Sequence, residues 1–362
     1  MNRVNPHRHS QKQESGRRRL EAVRLAGVLI LVCLMGIDAA SAQSEADLSR
    51  MRAMVESRDY IRAQNALRQY VEQNPEDAEG WELLGRAQKG RWMFREAAAS
   101  YERAIALGRE SALLLREWIE AKGRGTSTVS LVFKARRLKD AALRVLELDP
   151  YDVDTRGALA AYYYVVPGFL GGDKKRADRL VQELVELSPA DGYYLLGLRA
   201  KEEEAEADVF LGHWQTALRY NEAHTLTLVE LGAYWTRNDS AELGLDHLHR
   251  AAESSPDDPA IHTALARGYR RIAESAPDES ATYTFQGRVY RQAELFDESA
   301  VHFRKALEVD PFHAPARLNL AEYYEKHGTK EEAIREYSLL ARHNPTYQER
   351  EVRRRLARLL RG

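Results

Sequence analysis

The sequence has almost no cysteine, because Cys33 is the only one among 362 residues. A single cysteine cannot close an intrachain disulfide, so the stability of the fold must come from packing. Cys33 lies in a short apolar run, Leu25–Ile37, and long apolar runs are scarce as well. These 13 residues are too few to cross about 30 Å of hydrocarbon, which takes roughly 20 residues. We expect no membrane-spanning helix in the chain that follows this run.

Neither sign of charge dominates, with 54 basic and 55 acidic residues and a formal net charge of −1. Removal of residues 1–42 would leave 47 basic and 52 acidic residues, a net charge of −5. A mildly acidic surface is not the strongly basic one that nucleic-acid binding requires. We therefore expect no nucleic-acid partner.

The recognised catalytic and metal-binding motifs are also missing. The sequence has no Gly-x-Ser-x-Gly, no His-Glu-x-x-His and no clustered set of cysteine and histidine. His247 and His249 are two apart on a predicted helix, so they point about 200° apart and cannot share one metal. The other histidines are spread through separate predicted helix pairs, as surface or packing residues: His213, His224, His262, His302, His313, His327 and His343. We expect no catalytic residues, no cofactor, no metal and no enzymatic activity.

The N-terminal segment has the pattern of an export signal. Arg17–Arg19 and Arg24 precede the apolar run, and Ala40–Ala42 supplies the small residues that a signal peptidase reads. We expect cleavage after Ala42, so that the mature chain begins at Gln43 and is periplasmic or secreted. An uncleaved anchor, or lipid attachment at the single cysteine, are the alternatives.

The C-terminal third repeats itself at a step of 34 residues. Gly287, Tyr290, Phe303, Ala306 and Pro311 recur as Ala321, Tyr324, Tyr337, Leu340 and Pro345. In the first copy, Tyr283–Tyr290 and Phe296–Ala306 each place small and aromatic residues on one face of a 3.6-residue helix. A fixed step with this spacing predicts one structural unit, a pair of helices, used repeatedly.

The strongest single copy lies upstream and resembles the tetratricopeptide repeat, whose marks are W/Y–L–G–Y and A–F–A–P. It contains Trp81, Leu84, Gly85, Ala97, Tyr101 and Ala104. Gln88 and Arg109 stand where the family usually has an aromatic residue and a proline. The resemblance implies an all-α fold, a right-handed superhelical solenoid of antiparallel helix pairs with a concave groove.

The predicted organisation has four parts. Residues 1–42 are the signal peptide, 43–258 hold N-terminal and middle helix pairs, 259–345 hold the C-terminal repeats, and 346–362 form a capping helix. Within the third part, Pro259–Glu274 is helical by pattern but has no evident partner before residue 283. We expect a long helix or a local bend there.

An unusual loop interrupts the middle of the chain at Pro167–Asp173, where Phe169 and Leu170 are apolar residues between glycines. Apolar loop residues either pack back on the fold or contact a ligand, and packing back is the favoured interpretation. Similar loops occur in two tetratricopeptide-like groups, microtubule-dynamics regulators and periplasmic partners of TRAP-type solute transporters.

Concave grooves of stacked helix pairs hold extended peptides or partner helices. The sequence therefore predicts a non-enzymatic scaffold or adaptor of the cell envelope that binds a protein or peptide partner. The polar residues expected to face outward from first helices, and the apolar loop residue, are Gln88, Glu117, Arg199, Arg267, Asn319, Glu322 and Phe169. The alternative is an accessory component of a solute-transport system, with a closed small-molecule pocket beside the Pro167–Asp173 loop. The sequence indicates nothing about oligomeric state.

Overall fold

The computed structural model describes residues 45–125, 128–238 and 240–361. The predicted signal peptide lies outside the described residues. The chain divides into two compact units, Met1–Asp59 and Tyr60–Gly362. The described part of the first unit is one helix, α1, at residues 45–56.

The second unit consists almost entirely of antiparallel helices, which confirms the predicted all-α class. After α2 (Tyr60–Gln73), the first helices of successive pairs are α3 (Ala78–Gly90), α5 (Ala112–Arg124), α7 (Val153–Val165), α9 (Pro189–Glu202), α11 (Thr225–Trp235), α13 (Pro259–Ser275) and α15 (Ala314–His327). Their partners are α4 (Phe94–Ala106), α6 (Thr128–Leu148), α8 (Lys174–Leu187), α10 (Ala207–Tyr220), α12 (Ala241–Ser254), α14 (Gln292–Val309) and α16 (Lys330–His343), and α17 (Glu349–Arg361) follows. Each helix packs on the next along the chain, as in a solenoid. No described helix has both the length and the apolar character that a bilayer span requires.

Short polar turns start the first helices. The side chain of Asp77 accepts hydrogen bonds from the amides of Glu79 and Gly80, at 2.9 and 3.1 Å. Asp152 accepts one from the amide of Thr155 at 2.7 Å. These aspartates satisfy amides that a helix start leaves without partners, so α3 and α7 each begin at a defined residue.

Small residues on first helices allow large side chains of the second helices to approach. A Cβ atom on Gly85 would overlap the ring of Tyr101, and one on Gly197 would overlap the ring of Trp214. Tyr101 and Trp214 are both fully buried. The small–aromatic pairing expected from the repeat pattern is therefore how the helices of a pair interlock.

The helix predicted at Tyr283–Tyr290 is wrong. A β-hairpin takes its place, with β1 at Thr282–Phe285 and β2 at Arg288–Arg291. Its two-residue turn places Gln286 at φ 48° and Gly287 at φ 75°. Two successive positive φ angles are the mark of a type I′ turn, whose twist matches that of the paired strands. Aromatic residues seven apart fit a helix face, but here they face each other across the two strands.

The hairpin is an insertion within a helix pair. The long helix α13 packs on α14, and the hairpin lies between them in sequence. Ala266 and Tyr269 of α13 thus hold the places that Ala321 and Tyr324 hold in α15. These matched positions are 55 residues apart instead of 34, which is why α13 had no evident partner in the sequence.

The last helix pair returns to the first within the second unit. Arg91, in the turn between α3 and α4, is buried and donates from Nε to the carbonyl of His343 at 3.0 Å and from a terminal nitrogen to that of Arg342 at 2.8 Å. Asn344 donates back to the carbonyl of Arg91 at 3.3 Å. The ring of Trp92 packs edge-on against His313 at 5.2 Å. We call these contacts of residues 91–92 with the C-terminal repeats the seam.

Candidate partner-binding face of the first helices

The first helices lie side by side. Contacts join α3 to α5, α7 to α9, α11 to α13, and α13 to α15. Their exposed sides form a layer that we call the first-helix face. This face is the surface on which a helical-repeat protein can hold an extended partner.

Ion pairs cross the first-helix face between neighbouring helices. Lys89 of α3 lies 2.7 Å from Glu117 and 2.5 Å from Glu120 of α5. Lys201 of α9 lies 3.0 Å from Glu230 of α11. All these groups are partly exposed, so each pair contributes modestly to stability and mainly fixes the position of one helix against the next.

The same arrangement continues towards the C-terminus. Arg270 of α13 donates to the amide oxygen of Asn319 at 2.6 Å and lies 3.7 Å from Glu322. Arg355 of α17 lies 3.2 Å from Glu322 and 2.9 Å from Glu325 of α15. The three helices α13, α15 and α17 are thus connected by one chain of charges.

Two of the residues expected to face outward do not. Gln88 is only 5% exposed and accepts a hydrogen bond from Ser100 at 2.7 Å, inside its own helix pair. Asn319 is 7% exposed and also donates to the carbonyl of Pro315 at 2.6 Å. Helical periodicity alone predicts that both face outward, but each side chain satisfies a polar group within the fold. Neither is available to a partner in this conformation.

Three of the other predicted residues lie at the surface with partners in the fold. Glu117 and Glu322 belong to the ion pairs between first helices. Arg199 forms an ion pair with Asp178 of α8, and its guanidinium lies 4.6 Å from the ring centroid of Tyr164. Whether these three residues contact a partner stays a prediction.

Arg267 is the predicted residue with the most distinct surroundings. It is exposed, and no carboxylate of the described residues forms an ion pair with it or with Arg271 one turn later. Partial desolvation and the charge of Arg270 lower the pKa of Arg267, against the raising effect of Glu322. Partial desolvation and the charge of Arg237 lower the pKa of Arg271, against the raising effect of Glu274. The four guanidiniums at the α11–α13 part of the first-helix face outnumber the two carboxylates, Glu274 and Glu322, that act on them. We call these four residues the arginine cluster: Arg237, Arg267, Arg270 and Arg271.

Part of this cluster is visible in the sequence, although Arg267 alone was predicted as a partner-binding residue. Arg267, Arg270 and Arg271 follow the i, i+3, i+4 spacing of one helix face. Arg237 comes from just beyond the end of α11, and only the packing of α11 against α13 brings it there. An excess of positive charge attracts an anionic group and is relieved by it.

The loop at Pro167–Asp173 presents Phe169 to solvent. The side chain of Phe169 is 87% exposed, so the prediction that it packs back on the fold is wrong. Leu170 is half-buried, and its carbonyl accepts a hydrogen bond from the hydroxyl of Tyr162 at 3.2 Å. At 87% exposure Phe169 does not line the closed apolar pocket that a solute-transport role would require.

Glycines fix the path of this loop. Gly171 has φ 98°, in the left-handed region that glycine tolerates. A Cβ atom on Gly172 would overlap the carbonyl oxygen of Val166. Asp173 then caps α8 by accepting from the amide of Arg176 at 3.1 Å. The exposure of Phe169 thus follows from a tightly constrained backbone.

Three histidines that the sequence scatters through separate pairs meet in the core between α12, α13 and α14. The ring of His302 stacks on Tyr269 at 5.6 Å and lies 5.8 Å from His249 and 6.3 Å from His262. Burial lowers the pKa of His302 to about 3, so its ring is neutral at physiological pH. Among the described ranges, no group of three or more histidine, cysteine or acidic residues could hold a metal ion.

A model of the tetratricopeptide repeat family matches residues 50–92 and 286–360. No curated protein matches the sequence. Among solved structures, YrrB, a tetratricopeptide repeat protein with an unusual peptide-binding site, aligns with TM-score 0.40 and 17% identity over 50% of this chain and 88% of its own.

Two larger assemblies align over most of the chain. The human IFIT1 dimer with m7Gppp-AAAA has TM-score 0.43 and 20% identity over 80% of this chain and 66% of its own. The APC/C hetero-tetramer Cut9-Hcn1 has TM-score 0.42 and 13% identity over 83% of this chain and 52% of its own. The chain thus spans about two thirds and about half of these two proteins, and likeness at this level carries no argument about function.

Proposed function

The chain is a tetratricopeptide repeat protein, and we propose that it is a non-enzymatic scaffold that binds another polypeptide on its first-helix face. Stacked helix pairs offer a long, preformed surface on which an extended peptide or a helix can lie without reorganising the protein. The ion pairs between first helices keep that surface in one arrangement.

The observation that carries this proposal is the arginine cluster. Arg267 and Arg271 form no ion pair with a carboxylate of the described residues. Glu322 and Glu274 act on them only from a distance, and each also feels the charge of another arginine. Such an arrangement is unfavourable in the free protein and becomes favourable when a carboxylate-bearing segment binds. We infer that the bound polypeptide carries aspartate or glutamate where it crosses α13.

Site-specific photo-crosslinking tests this function. A photoreactive residue at position 267 should capture one defined protein from the envelope of the producing cell. The same residue at position 335, on the exposed part of the second helix α16, should not capture it. Equal capture at both positions, or none at 267 in a folded protein, would exclude binding on this face.

Charge reversal supplies the matched comparison. Arg267→Glu together with Arg271→Glu should reduce the affinity for the captured protein at least tenfold, because carboxylates would then oppose carboxylates. Arg136→Glu together with Arg335→Glu makes the same change in net charge at exposed positions of the second helices α6 and α16, and it should leave the affinity unchanged. A captured nucleic acid in place of a protein would contradict the proposed class of partner.

We also propose that the protein is exported to the periplasm or beyond. The pattern of arginines, apolar run and small residues before Gln43 supports this location. N-terminal sequencing of the mature protein from a periplasmic extract should begin at Gln43. A chain that keeps its first residues in the cytoplasm would contradict this location without affecting the binding proposal.

A further inference from the structure

A cavity of ≈ 590 Å³ lies along the seam. The turn between α3 and α4 contributes Trp92 and Phe94, the C-terminal end of α5 contributes Arg124, and the segment before α17 contributes Tyr347. Small-molecule sites in proteins typically occupy about 300–1,000 Å³ and combine aromatic walls with a few polar groups. This cavity therefore has the size and the wall composition of a ligand site, and no residue of the arginine cluster lines it.

The guanidinium of Arg124 is the main cation of the cavity. It lies 5.1 Å from the ring centroids of both Trp92 and Phe94 and 3.2 Å from a carboxylate oxygen of Glu120. A guanidinium has five N–H donors, and a single carboxylate at this distance leaves donors unused. Arg124 can therefore bind a second anion while its flat face stays on the aromatic rings.

The cavity offers charges of both signs, because Arg95 and Arg124 line it together with Glu96 and Glu349. His313 packs against Trp92, and burial together with the charges of Arg267 and Arg124 lowers its pKa to about 4. Its ring is thus neutral and adds no charge of its own. The same two arginines also act on Tyr347 to lower its pKa, although burial raises that pKa overall. Two guanidiniums thus act together on the groups that border the cavity.

The backbone is strained on both sides of the cavity. Trp92 has φ 58° and Gln348 has φ 44°, and both residues line it. Left-handed φ angles are uncommon for residues with a side chain, most of all for bulky ones, and are energetically unfavourable. Only five such residues occur among those that the structure describes, and two of them meet here. Strain of this kind concentrates at ligand sites.

One polar atom at the cavity has no partner. The Oε2 atom of Glu96 is buried and accepts no hydrogen bond from the described residues. Glu96 lines the cavity together with Arg124. A carboxylate with a buried oxygen that lacks a donor is costly, so a positive group placed beside Glu96 by a ligand in the cavity would be favourable.

From these contacts we propose that the seam cavity binds a small molecule with a carboxylate beside an aromatic ring and an ammonium group, such as a free aromatic α-amino acid. Its carboxylate pairs with Arg124, its ring packs against Trp92 and Tyr347, and its ammonium donates to Glu96. This site goes beyond the scaffold function, and none of its lining residues belongs to the arginine cluster.

The test uses the full-length protein and four probes. L-Phenylalanine should raise the melting temperature and bind in calorimetry. 3-Phenylpropionate lacks the ammonium and should bind more weakly, and phenethylamine and acetate each lack half of the determinant and should not bind measurably. Arg124→Gln should weaken the binding of L-phenylalanine roughly tenfold to a hundredfold, as expected for a lost charge-assisted hydrogen bond.

Two further variants make the result decisive. Arg137→Gln removes another exposed arginine over an aromatic ring, 5.8 Å from Trp118, and should leave binding unchanged. Glu96→Gln should abolish the difference in affinity between L-phenylalanine and 3-phenylpropionate. The proposal is overturned if no probe binds, if phenethylamine binds as well as L-phenylalanine, or if Arg124→Gln and Arg124→Lys both keep the wild-type affinity.

Discussion

At the scale of single residues, the buried histidines make stability depend on pH. The folded protein holds His302 neutral down to a pKa of about 3, whereas in the unfolded chain its pKa returns to about 6.5. Between these values the unfolded chain binds a proton that the folded chain does not. The contribution is complete above about pH 6.5 and is lost as the pH falls, by at most about 1.4 kcal/mol per pH unit for one group.

We therefore expect the melting temperature to fall on acidification from pH 7 to pH 4. His302→Phe keeps an aromatic ring against Tyr269 and His249 but removes the titrating group. Its melting temperature should depend less on pH in this range. Calorimetric scans at a series of pH values measure both slopes, and parallel curves for the two proteins would contradict the assignment.

Alanine substitutions at two glycines distinguish the contribution of close packing to stability from that of helix propensity. Gly197→Ala should destabilise the protein by about 1–3 kcal/mol, because the new methyl group overlaps the buried ring of Trp214. Gly212→Ala lies on the partner helix α10 with open space around it, and it should stabilise by about 0.5–1 kcal/mol. Urea unfolding measures both changes, and equal signs would contradict the packing described here.

At the scale of elements, helical periodicity predicts the helix pairs correctly and assigns the hairpin wrongly. Small and aromatic residues at helical spacing, such as Gly85 with Tyr101, identify the pairs because helix packing requires that combination. Tyr283 and Tyr290 fit the same spacing, but they are cross-strand neighbours. Periodicity does not distinguish the two cases in so short a segment, and the Gln286–Gly287 turn was the local signal for strands.

The turn of the hairpin gives two substitutions with opposite effects. Gly287→Ala should destabilise by about 1 kcal/mol, because φ 75° is unfavourable for a residue with a Cβ atom. Gln286→Asn should stabilise slightly, because asparagine tolerates left-handed φ angles better than glutamine does. Hydrogen exchange of the amides in β1 and β2 reports both effects. A faster exchange in Gln286→Asn would argue against the type I′ turn.

At the scale of the whole second unit, the seam joins residues about 250 positions apart. The residues of the candidate site also differ in whether the local sequence or only the packing of distant helices identifies them. Arg267 could be selected from its own helix, but Arg237 joins it only through packing, and the meeting of Arg91 with Arg342 and His343 depends on the summed rotations of all intervening pairs. No local sequence pattern predicts the total rotation that these pairs produce.

Loss of the seam arginine should affect the whole unit. Arg91→Ala leaves the carbonyls of Arg342 and His343, and the side chain of Gln64, without their donor. We expect a loss of roughly 2–4 kcal/mol in the free energy of unfolding, since several buried acceptors lose a charged partner. Arg136→Ala, an exposed change on α6, should stay within about 0.5 kcal/mol in the same urea titration.

The seam is tested most directly by measuring the distance between spin labels at positions 95 and 350. The labelled chain carries Cys33→Ser, so that only the two introduced positions react. Both positions are exposed and flank the seam. We predict one narrow distribution at short distance, which broadens when Arg91 and Trp92 are both replaced by alanine. A long, broad distribution in the protein with an intact seam would show that the last repeats do not return to the first.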